Sequence, residues 1–141
     1  MNEQERALLR QLGRTARTMY IAFEAEVGHA LPRWRILQAL YEQKRATQKE
    51  LAKQLAMDPG ALTRQMKTLE AEGFITRQNA PEDNRLTTVE LTPAGTEAIA
   101  ATQPMRKAFS QKALAGLPAD RLDITMSVLK TLEERFRGMH E

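Results

Sequence analysis

The sequence contains no cysteine. Disulfides, thiolate metal sites and thiol redox sensing are therefore excluded, and a reducing compartment suits the chain. Histidine is nearly as scarce: His29 and His140 are the two present. Neither sits in a His/Asp/Glu cluster with ligand spacing, so no metal is expected. Aromatic residues make up only 5%, which leaves the core to Leu, Ala, Ile and Met. No apolar run reaches membrane-spanning length, and the leading MNEQERALLR is charged where a signal peptide would be apolar. A cytoplasmic protein with no membrane partner is the expectation. There is no Ser/His/Asp set and no glycine-rich phosphate loop, so neither an enzyme nor a cofactor is expected.

What is present fits one domain of ordinary size: 141 residues, 42% hydrophobic and 28% charged, with a net charge of +3. That mild excess of positive charge permits a nucleic-acid partner without establishing one, so the placement of the charges must decide.

Residues 4–28 predict a helix, with Leu8, Leu12, Ala16, Met19, Tyr20, Phe23 and Val27 on one face and Arg6, Arg10, Arg14 and Arg17 in a basic stripe. Gly28 is the expected stop. Leu31-Pro32 opens a second helix, with Ile36, Leu37, Leu40 and Tyr41 as its apolar face and Lys44-Arg45 at its C-terminal end. Thr47-Gln48-Lys49-Glu50 reads as a capping box, followed by Leu51, Ala52 and Leu55 on the buried side. Ala56-Met57 makes a turn. Asp58 then caps a helix that has Pro59 in its first position, Leu62, Met66 and Leu69 facing inward, and Gly73 as its stop. A strand over Phe74–Gln78, a polar turn over Asn79–Arg85 and a second strand through Thr87, Val89 and Leu91 form a β-hairpin. Thr92-Pro93 starts a long helix, for which Pro104 predicts a kink near Gln103. Gly116 ends that helix, and Pro118 opens the last one, with Leu122, Met126, Leu129, Leu132 and Phe136 on its apolar face.

This order is that of a winged helix-turn-helix: a mainly α fold with a small β-hairpin wing. If Leu62, Met66 and Leu69 face inward, then Gly60, Ala61, Thr63, Arg64 and Lys67 face out. Small residues at the start of the helix allow close approach to base edges, and its N-terminal N–H groups favour phosphate. Arg64 has the fork that pairs with guanine O6 and N7, and Thr63 suits a phosphate or a thymine methyl. Gln48 and Lys49 are placed to reach the DNA backbone. Glu70 and Glu72 fall at the far end of the helix, away from DNA. Arg85 at the wing tip suits the negative potential of a narrow minor groove, with Asp83 orienting an arginine. The terminal helices carry apolar faces that a core of about 60 residues cannot readily cover; they could pack on each other within one chain, but the favoured reading is that they meet the same helices of a second copy in an isologous homodimer.

The stretches LPRWRILQAL, TQKELAKQLAMDPGALTRQMKTLEAEGFITR and DNRLTTVELTPAG resemble the MarR family of bacterial winged-helix regulators. The wing's Asp-x-Arg is matched by Asp83-Asn84-Arg85. The resemblance covers nearly the whole chain. It implies a single MarR-type domain over 1–141, with dimerisation helices at 4–30 and 93–138 and a DNA-binding lobe at 31–92. It implies a homodimer bound to a palindromic double-stranded DNA operator, usually as a repressor, in the bacterial cytoplasm and associated with the nucleoid. It also implies release by a small aromatic or phenolic acid held between the dimerisation helices and the DNA-binding lobe. The candidates for that site are Arg17, Tyr20, Phe23, His29, Arg33 and Trp34: aromatic rings to stack, and Arg17, Arg33 or His29 to meet a carboxylate. The family's cysteine-based oxidant sensing is excluded here. The alternative function is a winged-helix protein-interaction module that does not bind DNA.

Overall fold

Side-chain caps set most of the element boundaries. Asn2 and Glu5 exchange hydrogen bonds of 2.8 and 3.0 Å in a capping box that starts α1 (Glu3–Val27), and Gly28 ends it in the left-handed region at φ 86°. α2 (Leu31–Gln43) carries Pro32 in its first turn. The Thr47 hydroxyl accepts from the Glu50 N–H at 3.1 Å and the Glu50 carboxylate accepts from the Thr47 N–H at 3.4 Å, as the sequence predicts, and α3 (Gln48–Gln54) follows. Asp58 accepts from the Ala61 N–H at 3.0 Å and starts α4 (Pro59–Ala71). The computed structural model describes residues 1–80 and 83–139, and for residues 80 and 83–85 the backbone alone.

Three boundaries differ from the sequence expectation. Lys44 is the C-cap of α2, its N–H donating to the Leu40 carbonyl at 2.7 Å, but Arg45 does not belong to the helix end. Lys44 turns out of the helix at φ 70°, and Arg45 enters a short strand, β1 (Arg45–Thr47). The backbone there is satisfied by sheet pairing, which a three-residue segment cannot advertise by periodicity. The hairpin strands also run further than expected: β2 is Ile75–Ala80 and β3 is Asp83–Leu91. Asn79 pairs with Thr87 and Ala80 with Asp83 across a register shift, so ladder bonds override the turn preference of this polar stretch. Finally, the kink at Pro104 is a break. α5 (Pro93–Ala101) ends, Thr102 intervenes, and α6 (Gln103–Leu114) begins with Pro104 in its first turn, where no N–H is available for the preceding carbonyls. The last element is α7 (Ala119–Gly138).

The antiparallel sheet has the order β1-β3-β2. The chain divides into two compact units, Met1–Phe109 and Ser110–Glu141. In the first, Ile36, Leu40, Leu51, Leu62, Met66, Leu69, Ile75, Val89 and Ile99 form the core. Leu62, Met66 and Leu69 thus fix which side of α4 faces in. A smaller cluster joins Phe23, Val27 and Leu31 with Trp34 and Phe109. The predicted apolar face of α1 is therefore buried only at its end, while Leu8, Met19 and Tyr20 stay exposed. In the second unit, α7 leaves Ile124, Met126, Val128, Leu129 and Phe136 exposed and buries no residue.

α5 is stitched to the root of the wing. The Thr92 N–H donates to the Phe74 carbonyl at 3.0 Å, the Thr92 hydroxyl donates to the Gly73 carbonyl at 2.5 Å, and the Gly95 N–H donates to the Thr92 hydroxyl at 3.1 Å. Gly95 allows this approach. A Cβ there would lie well inside van der Waals contact of the Phe74 carbonyl oxygen and 3.0 Å from Leu91 Cδ2.

Candidate nucleic-acid interface

The outward side of α4 follows from its inward side. Arg64 and Lys67 are exposed, and among the described residues neither has a hydrogen-bond or ion-pair partner. Gly60 is exposed, and Ala61 and Thr63 are half-exposed beside it. An added Cβ on Gly60 would stand 3.6 Å from Arg64 Nη1, so the arginine lies back toward the start of the helix over a surface kept low by glycine. The Thr63 hydroxyl donates to the Pro59 carbonyl at 2.9 Å, which leaves its lone pairs outward. Lys49 is exposed on α3. The side chains of Asp83 and Arg85, both predicted to act at the wing tip, lie outside the described residues.

The far end of α4 is acidic, against the direction its dipole favours, and arginines from two other elements compensate it. Arg77 on β2 donates to Glu70 Oε1 at 2.9 Å and, with its other terminal nitrogen, to Gln48 Oε1 at 3.2 Å. Arg33 on α2 makes a two-pronged pair with Glu72, one arm at 2.8 Å, and its guanidinium lies 5.4 Å from the centre of the Phe74 ring. The hydrogen bond from Arg77 holds the Glu70 carboxyl below the ordinary carboxylate value, and the bond from Arg33 does the same for Glu72. Behind them, Arg35 donates to the Leu55 carbonyl at 2.9 Å and closes the end of α3. The helix-turn-helix is thus held at a fixed angle by Arg33, expected instead at the effector site, and by Arg35 and Arg77, for which the sequence offers no role. Arg77 stands two residues into β2, and its partners lie on α3 and α4, so nothing local in the sequence marks it.

The predicted effector residues do not all come together. Arg17 and Tyr20 are exposed on α1, and the Arg33 guanidinium is taken by Glu72. His29 is half-exposed, with its pKa lowered first by burial and then by Arg33, against an opposing effect of Glu72. Phe23 and Trp34 do meet, with ring centres 5.2 Å apart, and Phe109 stands edge-on to Phe23 at 5.5 Å. Arg106 lies over the Trp34 ring at 5.1 Å, and its Nε donates to the buried Thr102 hydroxyl at 3.0 Å. Thr102, Arg106 and Phe109 were missed because the segment around Pro104 was read only for its kink. The spacing of Thr102 and Arg106, four residues apart on one face, was the available signal. An open cleft of about 490 Å³ lies elsewhere, between Leu40, Tyr41, Lys44, Leu91 and Thr96, and none of these was a candidate. Among the described residues no cluster of three or more His, Cys, Asp or Glu could hold a metal, and no helix is long and apolar enough to cross a membrane.

A family model described as the MarR family matches residues 30–87. The chain is 31% identical over 136 residues to an uncharacterised HTH-type transcriptional regulator, YdgJ, of Bacillus subtilis, spanning 96% of this chain and 83% of the relative. Among solved structures, a mutant MarR from E. coli complexed with operator DNA superposes with a TM-score of 0.82 at 23% identity, covering 89% of this chain and 93% of that one. BpsR of Bordetella bronchiseptica, whose DNA binding is regulated by 6-hydroxynicotinic acid, superposes with a TM-score of 0.79 at 21% identity, covering 89% and 98%. At these identities the two structures speak for the winged-helix fold.

Proposed function

The chain belongs to the MarR family of transcriptional regulators, and from that premise we propose that it is a homodimeric repressor that reads a palindromic operator and is released by a small aromatic acid. The observation that carries the DNA-reading part is the outward face of α4. Arg64 and Lys67 stand on it with no side-chain partner among the described residues, beside the half-exposed Thr63, while the acidic residues at its other end are tied down. A basic, hydrogen-bonding face of this kind suits a major groove and is poor for an apolar protein partner. Arg85 on the wing, with Asp83 beside it, is assigned to the adjacent minor groove.

The dimer rests on what one chain leaves uncovered. Leu8, Leu9 and Ile21 on α1 and Ile124, Met126, Leu129 and Phe136 on α7 are exposed, and burying each such side chain yields about 1.5–3 kcal/mol. A two-fold dimer built from residues 4–30 and 93–138 would set its two copies of α4 about 34 Å apart, in successive major grooves.

For the effector we favour the predicted Phe23 and Trp34 together with Arg106, which was not predicted, over Arg17, Tyr20, His29 and Arg33. A planar carboxylate would pair with Arg106 and pack beside Trp34, within a surround of Phe23 and Phe109. Release then works by population shift: the ligand binds better to a dimer whose helix spacing does not match the grooves.

Selection of bound sites from random duplex DNA tests the function. A palindromic consensus, with binding lost on adding aromatic carboxylates, is the expected result. An absence of salt-dependent duplex binding would leave the protein-interaction module as the better reading.

A further inference from the structure

We propose that Arg77 is a positioning residue for DNA contact: from β2 it holds the Gln48 amide so that the amide's NH2 group is presented to a DNA phosphate. The proposal rests on the DNA-binding reading above. Arg77 donates to Gln48 Oε1 at 3.2 Å. A guanidinium carries five N–H donors and no acceptor, so the oxygen is the only end of the amide that can face it. The Gln48 nitrogen is therefore turned away from Arg77. Gln48 is half-buried, and among the described residues its amide nitrogen has no hydrogen-bond partner.

Arg77 itself is poorly placed to touch DNA. Its side chain is only 20% exposed, one terminal nitrogen serves Glu70 and the other Gln48, and its Nε is buried without a partner. A lysine would serve to neutralise Glu70. Only the planar fork spans two acceptors on two different helices, which here are α3 and α4. The same guanidinium thus fixes α3 against α4 and decides which end of Gln48 points outward. A freely rotating glutamine would offer its acceptor as often as its donor, and an acceptor next to a phosphate repels it.

A double-mutant cycle on the duplex selected by the wild-type protein tests this, with Arg77→Lys, Gln48→Ala and the pair measured over a range of salt. Each single change should weaken binding roughly tenfold, the size of one hydrogen bond to a charged group. The pair should be no weaker than Gln48→Ala alone, because Arg77 acts through Gln48. The slope of log K against log salt should be the same in all four proteins, since a neutral amide displaces no counterion. Gln48→Glu guards against a folding artefact. It keeps an acceptor for Arg77, so thermal stability should hold while affinity falls at least as far as in Gln48→Ala. The proposal is overturned if the losses add, if Arg77→Lys binds normally, if Gln48→Glu keeps full affinity, or if the salt slope drops by about one in Arg77→Lys, which would mark a direct phosphate contact. Wild-type protein that binds no duplex overturns the DNA reading, and this proposal with it.

Discussion

Gly95→Ala should destabilise the protein although it raises helix propensity. Gly95 lies inside α5, where alanine is normally better by about 1 kcal/mol. Its missing side chain, however, faces the turn between α4 and β2. A new Cβ would overlap the Phe74 carbonyl oxygen and press on Leu91 Cδ2 at 3.0 Å. The Phe74 backbone on one side and the Leu91 side chain on the other must give way. The Phe74 carbonyl is held by the Thr92 N–H at 3.0 Å, and the Thr92 hydroxyl both caps α5 and bonds Gly73. Overpacking costs about 1–3 kcal/mol, and loss of the cap and of one backbone hydrogen bond adds about 1 kcal/mol each. Offset by the propensity gain, the net loss is roughly 2–4 kcal/mol, or a fall in Tm of about 10 °C. Urea denaturation of the variant beside the wild-type protein measures it. A variant as stable as the wild type, or more stable, would show that propensity governs this position and that α5 does not rest on the wing root.

Three further outcomes follow from the same geometry. Ala56 sits in the turn of the helix-turn-helix at φ 51°, where a Cβ is penalised, so Ala56→Gly should raise stability by about 0.5 kcal/mol in denaturant; a loss would mean the turn carries no such strain. His29 has a folded pKa below its ordinary 6.5, through burial and then Arg33, so the unfolded chain binds more protons below that pH and stability should decline as pH drops from 6.5. His29→Gln should abolish that slope in denaturation measured at successive pH values, while a second loss below about 4.5, from the depressed Glu70 and Glu72 carboxyls, should persist. Leu129→Glu with Phe136→Glu on α7 should convert a dimer to monomers in sedimentation without loss of helical signal; an unchanged dimer would place the interface elsewhere.

What the sequence revealed, and what it hid, divides along the range of the interactions. Helix starts at Thr47, Asp58 and Thr92 were legible because each cap bonds an N–H three residues away. The inward face of α4 was legible because Leu62, Met66 and Leu69 repeat at helical spacing. β1 was not, since three residues carry no period and Arg45 finds its place only through Glu90, 45 residues on. The same holds for Arg33 with Glu72 and Arg77 with Gln48, at separations of 39 and 29 residues. Glu70 and Glu72 do lie at the C-terminal end of α4, yet their arginine partners come from elements that local pattern cannot bring together. The surroundings of the effector candidates were hidden for a related reason. Arg17, Tyr20 and Arg33 have suitable chemistry, but the arginine that reaches the aromatic cluster is Arg106, brought there by the chain break at Thr102.

The central claim is that α4 reads DNA bases through its exposed N-terminal half. Its most direct test is the affinity of the wild-type protein and of Arg64→Ala for the selected duplex, and for versions of it altered one base pair at a time. The account predicts that Arg64→Ala loses about 1–3 kcal/mol on the selected site and becomes indifferent to the base at one position in each half-site. Equal affinity of the two proteins on every duplex would contradict it.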